Sequence, residues 1–463
     1  MIIQQLSQID SMSPAIKTNL EYLNQLALRV GSSLYIVGGT IRDHLLEKSF
    51  SDFDFTSPDA PDIARQFANK TGYPLVPLDD TPDHETCRVV MDQNLYFDFT
   101  TLQGKNIQED LAQRDFTINA MAIHLEDFIN GKFNIIDPFD GKGDLENNII
   151  RLVSEQAFEC DPLRLLRAFR FASTLEFDIE PETLDHIRTH RTLLGKVAHE
   201  RITYEILLLF SAPRSPLSLM DSTGLIDVLF PGIADLRKAS GHQSDMTQWD
   251  DTLNAFNQLQ DLLLKPDRFL EAHAQCIKDY ISKDNRYALL KWSVLMRSLM
   301  TNAAFDATES LKEFRLSNTA IQFICRTLKF SEIVLSGSRS TGGGFKEDST
   351  VYQFIHRSGN TMISSLLLAL AVQLGNQEDI KYFIPLINRI LNFHIEKYLP
   401  ARDRPSLMNG DILKHKFHLT PSPRFRFILE KVEEARVLGI IQTSEEAERL
   451  ANELITSPME LRE

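Results

Sequence analysis

Cysteine is scarce in this chain: four in 463 residues, at Cys87, Cys160, Cys276 and Cys325, with no metal-ligand spacing among them. That excludes a disulfide-stapled scaffold and a zinc module. Because no charged-then-apolar leader opens the chain, a reducing cytoplasm is the expected home. Long apolar runs are missing too. The longest, near Met362 to Leu374, is shorter than a bilayer requires, so no membrane role is expected. Positive charge is in deficit: 49 Lys and Arg against 64 Asp and Glu leave a formal net charge of −15. Such a field repels polyanions and excludes indiscriminate nucleic-acid binding. An RNA would have to meet a local basic surface. One candidate is Leu413-Lys414-His415-Lys416-Phe417-His418 with Arg424-Phe425-Arg426-Phe427, where cations alternate with aromatics that could stack on bases. The same residues also read as a solvated loop with buried phenylalanines.

What remains is ordinary globular chemistry, 43% hydrophobic and 24% charged, in a chain long enough for about two to four domains. Ile16 to Val30 has helical apolar spacing, and Leu34 to Val37 reads as a short strand entering a glycine turn, followed by a helix over Thr40 to Glu47. Phe53 to Thr56, Arg88 to Met91 and Leu95 to Thr100 read as strands, with a helix over Pro58 to Asn69. After about residue 150 strand signals nearly vanish. Pro162 to Leu175, Ile202 to Phe210, Thr252 to Leu264, Tyr287 to Met300 and Ser364 to Leu374 all suit helices. Ser336 to Ser349, with its glycine run, reads as a flexible connection. The fold class is therefore α+β: a small mixed sheet with helices, followed by an all-helical remainder.

The chemistry concentrates early. Asp52 and Asp54 stand two apart shortly after Gly38 and Gly39. In a strand such residues point to one side, so both carboxylates can hold Mg²⁺ between them, while the glycine turn lets backbone N–H groups approach a phosphate. This is the equipment of metal-dependent nucleotidyl transfer; taken alone, the same residues also read as alternating acids on a surface strand after a Gly-Gly turn. Asp98, in Tyr96-Phe97-Asp98-Phe99, is the candidate third carboxylate, since an acid flanked by apolar residues belongs on a central strand only when it faces a site; an edge-strand acid is the alternative.

Val37-Gly38-Gly39-Thr40-Ile41-Arg42-Asp43-His44-Leu45-Leu46 with Ser51-Asp52-Phe53-Asp54 resembles the first motif of class II tRNA nucleotidyltransferases and bacterial poly(A) polymerases. Leu111-Ala112-Gln113-Arg114-Asp115-Phe116-Thr117-Ile118-Asn119-Ala120 is similar to the family's second motif. There Arg114, Asp115 and Asn119 would contact sugar and phosphates and select ribose, although Gln113 replaces the first of the usual two arginines. Ile135 to Leu145 looks like the third motif, read as a structural turn in which Asp137 satisfies backbone donors. Phe158-Glu159-Cys160-Asp161-Pro162-Leu163-Arg164-Leu165-Leu166-Arg167-Ala168-Phe169-Arg170 resembles the fourth. Asp161 and Arg164, three apart and expected on one helical face with Arg167, would read the Watson–Crick edge of the incoming base. Taken alone they also read as an intrahelical ion pair. Arg201 and Glu205 match the fifth motif and would brace the base-reading pair from behind.

The resemblance is strong to about residue 232 and looser beyond. It implies a polymerase-β-like nucleotidyltransferase head over 1–150, a helical neck that recognises the base over 151–232, a helical body over 233–345 and a tRNA-binding helical tail over 346–463. The implied activity is template-independent addition of C, A or both from CTP and ATP to the tRNA 3′ end, with Mg²⁺ as cofactor and pyrophosphate as product. Which nucleotides are added stays open, because Leu78 to Arg88 resembles CC- or A-adding members as well as complete CCA-adding ones. A poly(A) polymerase is the alternative within this chemistry, and a catalytically dead RNA-binding protein the alternative of another class. His242 with Asp250 and Asp251 looks like a remnant of a metal-phosphohydrolase region with too few ligands for that activity.

Overall fold

The computed structural model describes residues 13–48, 52–81, 84–92, 95–243, 245–300, 307–339, 344–378 and 380–456. The chain forms two compact units. One runs to Leu209 and takes in Ser215–Phe230; the other comprises Phe210–Arg214 and the chain from Pro231 onward.

In the first unit, α1 (Pro14–Val30) begins on Ser13, whose side chain accepts the Ile16 N–H, and it buries Leu20, Leu23, Leu26 and Ala27. β1 (Tyr35–Val37), α2 (Gly39–Leu45), β2 (Asp52–Ser57), α3 (Ala60–Thr71), β3 (Leu75–Asp79), β4 (Thr86–Asp92), β5 (Leu95–Thr101), α4 (Ile107–Ala112) and β6 (Ala122–His124) follow. The strands form one mixed sheet in the order β3-β4-β5-β2-β1-β6, with β2 and β5 parallel and the other neighbours antiparallel.

Alternation in β2 and β5 produces both the core and the site. Phe53 pairs in register with Phe97, and Phe55 with Phe99; each ring is at most 1% exposed, and the paired centroids lie 5.2 and 5.0 Å apart. α3 covers this face with Phe67. Burying each such ring contributes about 2 kcal/mol. The intervening positions, Asp52, Asp54 and Asp98, belong to the opposite face, and Asp54 and Asp98 are register partners.

Two strands of this sheet escaped the sequence reading. β3 carries Pro77, which argues against a central strand but is tolerated at the edge position that β3 occupies. β6 is three residues long, too short for a periodic signal. Past residue 150, α5 (Arg164–Leu175) and α6 (His199–Ser211) form as expected. Ile149–Ile150 and Asp178–Ile179 make a small parallel pair, a departure from the all-helical expectation.

The second unit is helical. α7 (Gln248–Leu264), α8 (Arg286–Leu299), α9 (Asn318–Arg339) and α10 (Met362–Gly375) surround the fully buried Trp292 and Phe256. A Cβ on Gly375 would lie 2.6 Å from the Ala255 backbone nitrogen, so only glycine allows α10 this close to α7. The connection expected over 336–349 is shorter than its composition suggests: α9 runs on through Arg339, and residues 340–343 lie outside the described residues. The helical run Asp348–Gly375, at 28 residues, is long and apolar enough to cross a membrane, more than its central apolar stretch implied, but 83% of its apolar 18-residue stretch is buried inside the protein. That is the setting of a core helix.

At the C-terminal end, Phe417 and Phe425 pack against a cluster built on Leu413, Ile428 and Val432. Lys416 pairs with Glu448 and Arg426 with Glu430, while Arg424 donates to the Leu454 and Ile455 carbonyls. The stretch read from sequence as a possible RNA surface thus spends these cations and two of its rings on the tail's own packing.

Candidate active site

A cleft of about 550 Å³ opens in the first unit, lined among others by Gly38, Gly39, Arg42, Asp52, Asp54, Arg114, Asp115, Asn119, Asp161, Arg164, Arg167 and Arg170. Residues more than a hundred positions apart converge there.

Its floor is the turn between β1 and α2. Gly38 has φ +66, a left-handed backbone that a side chain would strain, and a Cβ there would sit 3.0 Å from Arg114 Nη1 and 3.6 Å from Asp54 Oδ2. Thr40 ties the turn to β2: its hydroxyl donates to the Asp52 carbonyl and accepts the Asp54 N–H, at 3.2 and 3.0 Å. Asp52 is exposed and Asp54 half-buried, and both line the cleft as their spacing predicts.

Asp98 is placed differently from its expectation. Arg88 forks onto its carboxylate with two hydrogen bonds of 2.7 Å and lies over the Tyr96 ring; Asp98 is not among the cleft's lining residues. It acts on Asp54 as a charge. Burial first, then the Asp98 and Asp52 carboxylates, push the Asp54 carboxyl up to about 6 against the pull of Arg114 and Arg42.

A raised folded-state pKa gives stability that is present below the unfolded value and is lost as pH climbs through the folded one. In metal-free protein, the melting temperature of Asp54→Asn relative to wild type is therefore expected to rise between pH 4 and pH 7, and added Mg²⁺ should close that gap at pH 7 but not at pH 4. A constant difference across this range would contradict the crowding of carboxylates.

The wall comes from the segment after α4. Asp115 is buried, accepting from Phe116 N–H at 2.8 Å, from Asn119 Nδ2 at 3.1 Å and from Arg167 Nε at 2.8 Å. Burial alone would raise its carboxyl, but Arg167, Asn119 and the Phe116 N–H together hold it well below the usual carboxylate range. Asp115 welds the head to α5. Asn119 Oδ1 accepts from Arg42 Nη1 at 2.8 Å, and Arg42 also forks onto Asp43. Arg114 is held by Asp110, at 3.0 Å and 3% exposed. Sequence reasoning missed that partner, although the i,i+4 spacing of Asp110 and Arg114 was there to be read.

The roof comes from α5 and the turn before it. Arg164 Nη2 donates to the Gln113 carbonyl at 2.7 Å and Nη1 to the Arg114 carbonyl at 3.2 Å, so no Asp161–Arg164 ion pair forms. Asp161 is not on the helix face assigned to it: its backbone is extended, φ −143 and ψ 100, because the residue before a proline is driven out of the α region and Pro162 follows. Asp161 still lines the cleft, paired with Arg201 at 3.1 Å. Glu205 braces other groups than expected, lying 2.8 Å from Arg170 Nε, in ion contact without hydrogen-bond alignment, and 3.8 Å from Arg167. In the third motif, Asp137 accepts the Gly141 and Lys142 N–H groups, the structural part read for it.

Five arginines and five aspartates line the cleft, so the side chains alone bring almost no net positive charge to a polyanion. Asp52 and Asp54, crowded enough to repel a second charge, supply oxygen ligands of the kind that hard divalent cations take. The donor set fits a divalent metal ion. Among the described residues, the cleft included, no group of three or more metal-ligating side chains occurs, so the protein's ligands there are the two aspartates; His242 and Asp251 border a separate cavity of about 250 Å³ in the second unit.

Residues 34–151 match the family model of the poly A polymerase head domain, and 176–236 that of a probable RNA and SrmB-binding site of polymerase A. The CC-adding tRNA nucleotidyltransferase of Geobacter sulfurreducens is 28% identical over 94% of this chain and 96% of its own length. A CCA-adding enzyme of Levilactobacillus brevis is 31% identical over 68% and 72%. In fold, the Thermotoga maritima CCA-adding enzyme, solved in complex with tRNA, superposes with a TM-score of 0.67 at 23% identity over 97% of both chains.

Proposed function

This chain belongs to the tRNA nucleotidyltransferase and poly(A) polymerase family, and on that premise we propose that it adds C, A or both from CTP and ATP to the 3′ end of tRNA without a template, releasing pyrophosphate. One observation carries the reading: the paired carboxylates of β2 and the Asp161–Arg164 couple of the neck face the same cleft.

Asp52 and Asp54 would hold Mg²⁺, with Asp98 behind them as a fixed negative charge. Bound there, Mg²⁺ supplies Lewis-acid charge to the attacking and leaving oxygens of an in-line displacement. Arg42, Arg114, Arg167 and Arg170 offer their N–H groups to the phosphates. Asp115 and Asn119 set the polar surface under the ribose, where a site built to hydrogen-bond a hydroxyl rejects a sugar lacking it. Asp161 can accept from the exocyclic amine that cytosine and adenine share, and Arg164 can donate to the neighbouring ring acceptor. These side chains take the place of a template base. Four unpaired cysteines suit a reducing compartment, and we place the enzyme in the cytoplasm.

The test offers purified protein and Mg²⁺ three tRNAs, lacking the whole CCA end, lacking only the terminal A, or complete, with CTP or ATP singly, and reads product length. Addition of one to three residues that stops at the CCA end supports the reading; long ATP-dependent tails mean a poly(A) polymerase, and no extension means a binding protein. In the same assay Arg164→Ala is expected to blur the choice between CTP and ATP more than it weakens tRNA binding. An unchanged preference would remove Arg164 from base reading.

A further inference from the structure

We propose that Phe171 is a positioning residue for nucleotide binding: its ring is the shared platform that holds three cleft-facing guanidinium groups, those of Arg42, Arg167 and Arg170. The inference rests on the reading of the cleft as a nucleotide site. Phe171 lines the cleft but is only 6% exposed, and Phe116 fixes it edge-on with centroids 5.8 Å apart. The guanidinium carbon of Arg170 lies 4.2 Å from the ring centroid, and those of Arg42 and Arg167 each 5.2 Å. Arg42 comes from α2 and the other two from α5, so one ring joins the phosphate-side turn to the base-reading helix.

Three like charges this close repel, and each has its own acid: Asp43 for Arg42, Asp115 for Arg167, Glu205 for Arg170. Glu205 also lies 3.8 Å from Arg167, but none of these acids reaches all three guanidinium groups. A fourth carboxylate at the centre would organise them, but would cancel positive charge and repel a triphosphate. An aromatic face attracts cations through its quadrupole while carrying no net charge. Phe171 therefore gathers the arginines and leaves their charge available to phosphate. No base contact is involved, so its effect should fall equally on CTP and ATP.

The experiment uses the full-length protein with Mg²⁺ and non-hydrolysable CTP and ATP analogues, and measures Kd by calorimetry alongside steady-state kcat and KM. Two replacements are compared: Phe171→Leu, and Phe171 exchanged for pentafluorophenylalanine, which keeps the shape and reverses the ring's electrostatics. Both are expected to weaken binding of the two analogues to a similar extent, about tenfold, raising KM far more than they lower kcat. Only Phe171→Leu should lower the melting temperature appreciably. Wild-type affinity in the pentafluoro protein, whatever the leucine variant does, overturns the inference and leaves the ring as core filler. Failure of the folded wild-type protein to bind either analogue overturns the reading of the cleft itself, and the inference with it.

Discussion

Asp54→Asn is expected to cut nucleotide addition by about a thousandfold, equivalent to roughly 4 kcal/mol of transition-state stabilisation, while making the metal-free protein more stable. The two effects share one cause. Asp54 sits against the Gly38–Gly39 backbone with Asp98 as its register partner and Asp52 two residues away, and its carboxyl is pushed up to about 6 by burial and by those acids. At neutral pH its charge is therefore a cost to the fold, and a neutral isostere removes about 2 kcal/mol of it. The amide cannot supply the anionic ligand that a hard cation needs. Primer-extension rates and urea midpoints of the same preparation read both quantities. Loss of activity with loss of stability would point to misfolding, and retained activity would remove Asp54 from the metal site.

Asp115→Asn should do the reverse, damaging the fold and nucleotide binding together. The wild-type carboxylate is 6% exposed and gathers Arg167, Asn119 and a backbone N–H around itself. Its amide leaves Arg167 short of a counter-charge. Removing one member of a fully buried pair costs about 3–5 kcal/mol. Arg167 keeps 32% of its side chain open to the cleft, so water takes part of the load and about 2–3 kcal/mol is expected in urea unfolding at pH 7.

Because the folded-state carboxyl lies below its unfolded value, this contribution is present above the unfolded pKa and is lost as pH falls. The gap between wild type and Asp115→Asn should accordingly narrow when both are unfolded near pH 3. A gap that widens in acid would reverse the sign of the argument. Since Asp115 also anchors Asn119 under the proposed ribose position, KM for CTP should rise in the variant.

The parts of this site legible in the sequence are those where local spacing alone decides direction. Phe53, Asp54 and Phe55 announce a strand with one buried and one chemical face, and the structure has that strand. Gly38 marks a turn because its φ of +66 is one that other residues avoid. Past residue 150, Arg164–Leu175, His199–Ser211, Gln248–Leu264, Arg286–Leu299 and Met362–Gly375 follow from their apolar periodicity, whereas the helix Asn318–Arg339 escaped that reading. What was hidden depends on tertiary pairing. No pattern shows that Arg88 would claim Asp98, that Glu205 would reach Arg170 and not Arg164, or that a phenylalanine inside an arginine-rich helix would face three cations. The displacement of Asp161 from its helix is a different case: Pro162 announces it, because the residue before a proline is driven out of the α region whatever the helical spacing around it.

On the proposed reading, the β2 carboxylates grip divalent ions around a triphosphate in this cleft. An anomalous diffraction map from crystals grown with Mn²⁺ and a non-hydrolysable CTP analogue tests it most directly. Metal peaks are expected about 2.0–2.3 Å from oxygens of both Asp52 and Asp54, with the triphosphate beside Arg42 and the base edge toward Asp161 and Arg164. Metal bound away from both aspartates, or a nucleotide lodged outside the cleft, would contradict it.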